Sequence, residues 1–139
     1  MIRSRALALA ALAIVALPIS GAQAQVAKAK PAVSAYDRCL AIPAGQTTAG
    51  MIECASAELA IQDARLNRAY QAAILRLERP RQKTALQKAQ RAWMAFRDAD
   101  CASYYDEDWG SIARVQANAC VLDQTIRRAN DLEAFHRGF

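Results

Sequence analysis

The chain has 139 residues, 54% of them hydrophobic and 22% charged, with a formal net charge of +5. That length bounds it to one small domain. The charge is too modest to argue for nucleic acid, because Arg3 and Arg5 belong to the extreme N-terminus and the +5 falls to +3 without them.

Residues 1–24 are expected to be a cleaved export signal. Two arginines precede the uninterrupted apolar run Ala6 to Leu17, and Ala22-Gln23-Ala24 then supplies an A-x-A cleavage site before Gln25. The run is too short for a bilayer-spanning helix, which needs about 20 apolar residues. No cysteine lies near the cut to carry a lipid, so no stable membrane anchor is expected after cleavage. Residues 25–38, small, polar and aperiodic, are expected to be a flexible lead-in. The domain proper then covers residues 39–135.

Three main helices are expected within it. "AIPAGQTTAG" reads as a loop because of Pro43, Gly45 and Gly50. From about Ala49 to Glu78, Leu59, Asp63, Leu66, Tyr70, Ile74 and Leu77 fall on one helical face, bordered by Asn67. Pro80 ends this helix or marks the corner into the next. The second helix runs from about Arg81 to Tyr105, with Leu86, Gln90, Trp93, Arg97, Cys101 and Tyr104 on one stripe. "DEDWGS" stops it, and Ser111 is the expected N-cap of a third helix from Ile112 to about Phe135. The apolar face of that helix reads as Ile112, Val115, Ala119, Leu122, Ile126 and Ala129, a choice that turns Cys120 away from the core. No strand-like alternation occurs after the signal. The fold class is therefore all-α, a small disulfide-stapled bundle of three main helices.

Cys39, Cys54, Cys101 and Cys120 form an even set in a small exported domain, which reads as two disulfides. Of the three possible pairings, Cys39–Cys54 and Cys101–Cys120 are favoured because each brackets a short turn-containing segment. Zinc is disfavoured, since there is no C-x-x-C and the single histidine is His136 near the terminus. No metal and no cofactor are expected. Nor is an enzyme: the chain has no G-x-S-x-G, no glycine-rich phosphate loop and no H-E-x-x-H. Its acids cluster beside a loop without an apolar pocket to separate their pKa values.

Two constellations stand out. The stripe on the second helix mixes Trp93 with Gln90 and Arg97, and a buried Arg97 needs an acceptor. Asp63 on the first helix is the expected partner, with Asn67 and Gln90 in support, forming an interhelical polar network that fixes register. The second is the segment holding Tyr104, Tyr105, Asp106, Glu107, Asp108 and Trp109. Aromatic side chains on a braced loop are the residue types that dominate protein interfaces, and the surrounding acids favour a basic partner.

Several pieces in fixed order then match a known pattern. They are Cys39, "MIECASAEL", "DARLNRAY", "QRAWMAFRDADC", Gly110-Ser111 and "CVLDQTIRRANDL", covering about residues 39–132. Through these the chain resembles the LprI-like lysozyme-inhibitor family, a bacterial secreted domain. The resemblance implies an exported, α-helical, disulfide-bearing protein, periplasmic or secreted, whose partner is a lysozyme or another basic envelope protein. It locates no inhibitory residue on this chain. The function expected is a binding protein that inhibits lysozyme-type muramidases. The alternative is a cell-envelope structural or adaptor protein with neither inhibitory nor catalytic activity.

Overall fold

A computed structural model describes residues 34–135. The expected signal, residues 1–24, lies outside the described residues, as do residues 25–33 of the lead-in and His136. Four helices follow in order: α1 (Ala35–Leu40), α2 (Thr48–Arg76), α3 (Pro80–Ala102) and α4 (Ser111–Ala134). Single 3-10 turns at Pro43–Gln46 and Glu107–Trp109 punctuate them, and there is no strand among the described residues.

Each helix end has a local cause. Residues 35–38, read from sequence as the end of the lead-in, are helical. The Ser34 hydroxyl accepts the Asp37 N–H at 3.0 Å, while the Asp37 carboxylate accepts the Ser34 N–H at 3.2 Å. This reciprocal pairing satisfies two donors that a helix start otherwise leaves bare. Thr47 caps α2 by accepting the Gly50 N–H at 3.0 Å. Pro80 stands at the first position of α3, where its missing N–H costs nothing. Leu77 and Arg79 before it are extended, which closes α2 and turns the chain. The start of α4 differs by one residue from expectation. Gly110 is the N-cap, with φ 64° and ψ −149°, and Ser111 is already helical. That backbone conformation is open essentially to glycine alone, so Gly110 sets the direction in which the chain enters α4.

Contacts along the helices define the topology. Arg65 on α2 meets Asn130 and Glu133 on α4, and Arg76 reaches the carbonyl of Phe135, so α2 and α4 run side by side and parallel. α3 is antiparallel to α4, tied to it at Gln90–Arg128, Arg97–Thr125, Asp100–Gln124 and Cys101–Cys120. α4 packs most extensively on α2, whereas α2 and α3 scarcely approach at backbone level. A groove therefore opens between those two helices.

The α2–α4 seam is built on small side chains. Ala55, Ala69, Ala73, Ala113 and Ala129 are buried, Ala73, Ala113 and Ala129 completely. Leu66, Leu77, Leu86 and Leu132 complete the central cluster, flanked by Tyr70, Ile74, Trp93 and Phe135. Full burial of each leucine contributes about 1.5–3 kcal/mol.

Two of the expected faces are rotated as a result. On α2 the stripe against α4 is Ala55, Glu58, Leu66, Ala69, Ala73 and Leu77, so Asp63, Tyr70 and Ile74 flank the seam. On α4 the buried set is Ala113, Leu122, Thr125, Ala129 and Leu132, while Ile112 is exposed. Cys120, which the expected face turned outward, lies seven residues beyond Ala113 and so shares its stripe. Both disulfides have the expected connectivity, with Cα–Cα distances of 5.7 Å for Cys39–Cys54 and 5.5 Å for Cys101–Cys120. The first staples α1 to α2, where Gly50 packs so tightly that an added Cβ would collide with the Ala44 carbonyl.

Candidate functional site

The connection from α3 to α4 is built from short-range hydrogen bonds. Ser103 Oγ donates to the Asp100 carbonyl at 2.6 Å, and the Tyr105 N–H donates to the Ala102 carbonyl at 3.0 Å. Asp106 then caps the Glu107–Trp109 turn, its Oδ1 accepting the Asp108 N–H at 2.9 Å. The Cys101–Cys120 bond clamps one end of this loop to α4, and Gly110 orients the other. Serine and aspartate next to backbone donors favour such turns over helix continuation.

This scaffold holds its aromatic side chains partly in solvent. Tyr104 is 45% exposed, Tyr105 47% and Trp109 57%, beside Ile112 at 47%. Asp106, Glu107 and Asp108 are exposed among them. The guanidinium of Arg114 stands 5.9 Å from the centre of the Tyr105 ring, a cation–π contact that steadies it. Tyr104 and Trp109 also line a shallow cleft of about 600 Å³ together with Asp100, Gln116, Asp123, Gln124 and Arg127. Asp123 is ion-paired to Arg127 at 2.8 Å.

The polar stripe is arranged differently from the expected network. Arg97 Nε and Nη2 both donate to Asp98 Oδ1, at 2.9 and 2.8 Å. Its Nη1 reaches the hydroxyl of Thr125, which is fully buried, at 3.4 Å. Asp63 lies 4.0 Å from the same nitrogen, and its side chain is 49% exposed. The close carboxylate is thus the adjacent Asp98 on α3, and Arg97 links α3 both to Thr125 on α4 and, at 4.0 Å, to the expected Asp63 on α2. Gln90 supports a different arginine, accepting the Arg128 Nε–H at 2.9 Å. Asn67 is exposed at the groove edge. Both guanidiniums stand over the ring of Trp93, Arg97 at 5.1 Å and Arg128 at 5.8 Å from its centre. Burial lowers the Arg128 pKa, with Asp131 acting in opposition.

The main interhelical ion pair escaped the sequence reading. Arg65 donates from Nε and Nη2 to the two carboxylate oxygens of Glu133, at 2.8 and 2.7 Å, and to Asn130 at 2.6 Å. The Glu133 hydrogen bond raises the Arg65 pKa against the opposing effect of burial. Arg65 falls on no apolar stripe, so a signal appears only once the α2–α4 seam is known.

Asp100, Cys101 and Cys120 place their potential ligand atoms within 4.8 Å of one another. The two sulfurs are joined in a disulfide and a single carboxylate is left, a donor set that does not suit a metal ion.

Taken together these features define a class: a small α-helical module, stapled by two disulfides, that displays a braced acidic and aromatic loop. The chain belongs to the lysozyme inhibitor LprI family, whose model matches residues 39–132. No curated protein and no solved structure matches it.

Proposed function

We propose that this chain is an exported inhibitor of lysozyme-type muramidases that docks through the loop spanning residues 103–110. The observation that carries this reading is the half-exposure of Tyr104, Tyr105 and Trp109 on a loop braced by Cys101–Cys120. Aromatic side chains held out by a covalent staple lose little entropy on binding, which is how interface hot spots arise. Asp106, Glu107 and Asp108 around them complement a basic enzyme, as many lysozymes are. The attraction is local, because the chain as a whole is positively charged. Two disulfides agree with an oxidising compartment outside the cytoplasm. No helix of the described residues is long and apolar enough to cross a membrane.

The test is a titration of lysozyme turnover at low and at moderate salt. Inhibition is expected at micromolar protein and is expected to weaken as salt screens the loop acids. Trp109→Ala should raise the inhibition constant by about tenfold or more, and Asp106→Lys should mainly slow association. Absence of inhibition at both salts would overturn the proposal. Binding to lysozyme with unimpaired turnover would leave the adaptor reading in its place.

A further inference from the structure

A second concavity lies between α2 and α3 and shares no lining residue with the cleft beside the loop. It encloses about 430 Å³, within the range of small-ligand sites. Leu66, Trp93 and Met94 supply an apolar wall, and Asn67, Tyr70 and Gln87 add hydrogen-bonding groups around it.

Gln90 shows that this space is more than a packing defect. It lines the groove and is only 7% exposed, with its Oε1 committed to Arg128. Its amide NH2 has no partner among the described residues, although no buried polar atom is left stranded. That donor is thus left without a protein partner on a residue that lines the groove, where an acceptor would satisfy it. Charge points the same way. The lining carries one carboxylate, Asp63, against two arginines, and Arg97 is answered by Asp98 and, more distantly, by that Asp63. Arg91 is exposed and has no ion pair among the described residues.

The geometry points to a ligand site for a small sugar that carries a carboxylate. The amides, the free NH2 of Gln90 among them, match ring hydroxyls, Tyr70 and Met94 suit the C–H face of a sugar ring, and the unpaired guanidinium of Arg91 calls for an anionic acceptor. Arg91 takes the carboxylate as a charge-assisted hydrogen bond, stronger than the neutral contacts around it. Trp93, already positioned by Arg97 and Arg128, forms part of the wall rather than swinging in to close the site.

The experiment uses the intact domain and the two indole N–H signals of its two tryptophans, assigned with Trp109→Phe. N-acetylmuramic acid is titrated against N-acetylglucosamine, which lacks the carboxylate. The Trp93 signal is expected to move saturably with the acid while the Trp109 signal holds, and binding of the neutral sugar should be about tenfold weaker. Arg91→Ala, at an exposed position, should abolish that preference without lowering the melting temperature, and Gln87→Ala should weaken both sugars. No saturable movement of Trp93, equal affinity for the two sugars, or movement of Trp109 instead would overturn the assignment.

Discussion

Arg97 illustrates how a single residue's role depends on distances that composition does not contain. Its side chain is 18% exposed, its carboxylate partner Asp98 is 64% exposed, and Asp63 is reached only at 4.0 Å. A fully buried ion pair broken on one side costs several kcal/mol, whereas a solvent-exposed pair contributes little. The Thr125 contact and the Trp93 stacking are what Arg97→Ala removes, for an expected loss of about 1–2 kcal/mol. Asp63→Ala should change stability by less than about 0.5 kcal/mol. Chemical denaturation of both variants checks this pair of expectations, and a larger loss for Asp63→Ala would restore it as the main partner. Asp63 and Arg97 were legible as polar residues on apolar stripes. The identity of the closer acceptor was not, because neighbours one residue apart in a helix ordinarily point in different directions.

At the scale of elements, the three long helices and the Pro80 corner were legible from periodicity, capping residues and proline. The faces were less so. Tyr70 and Ile74 are far bulkier than Ala69 and Ala73 and offer more apolar surface, yet it is the alanines that α4 covers. Two helices that approach closely need small side chains at the contact, so the seam follows lack of bulk, and larger neighbours fill its margins. The same logic places Ala113 inside and Ile112 out on α4, and it removes the apparent misdirection of Cys120. Ala73→Leu should therefore destabilise the fold by about 1–3 kcal/mol through overpacking, whereas Leu75→Ala, at a position 79% exposed, should leave the thermal midpoint nearly unchanged. Differential scanning calorimetry of the two variants tests the assignment of the seam.

Across the whole molecule, each staple ties a helix to its neighbour in the chain. Cys39–Cys54 holds the short α1 against α2, and Cys101–Cys120 closes the turn between α3 and α4. In the chain-entropy view, loops of about these lengths each contribute about 3 kcal/mol. Cys101→Ser with Cys120→Ser is expected to cost about that much stability and, in addition, to weaken lysozyme inhibition by releasing the loop. Cys39→Ser with Cys54→Ser should lower stability while sparing inhibition once folding is accounted for. Parallel melts and inhibition assays separate the two effects, and equal losses of inhibition would argue against a special role for the loop. The fold class and the family were legible in the sequence alone, which also favoured the disulfide pairing that the structure shows, because periodicity, capping and cysteine spacing are local properties of the chain. Only the tertiary structure decided which stripe meets which helix, which carboxylate answers Arg97 and Arg65, and that a polar groove stands open between α2 and α3. Those depend on how closely backbones approach, a distance set jointly by side chains far apart along the chain.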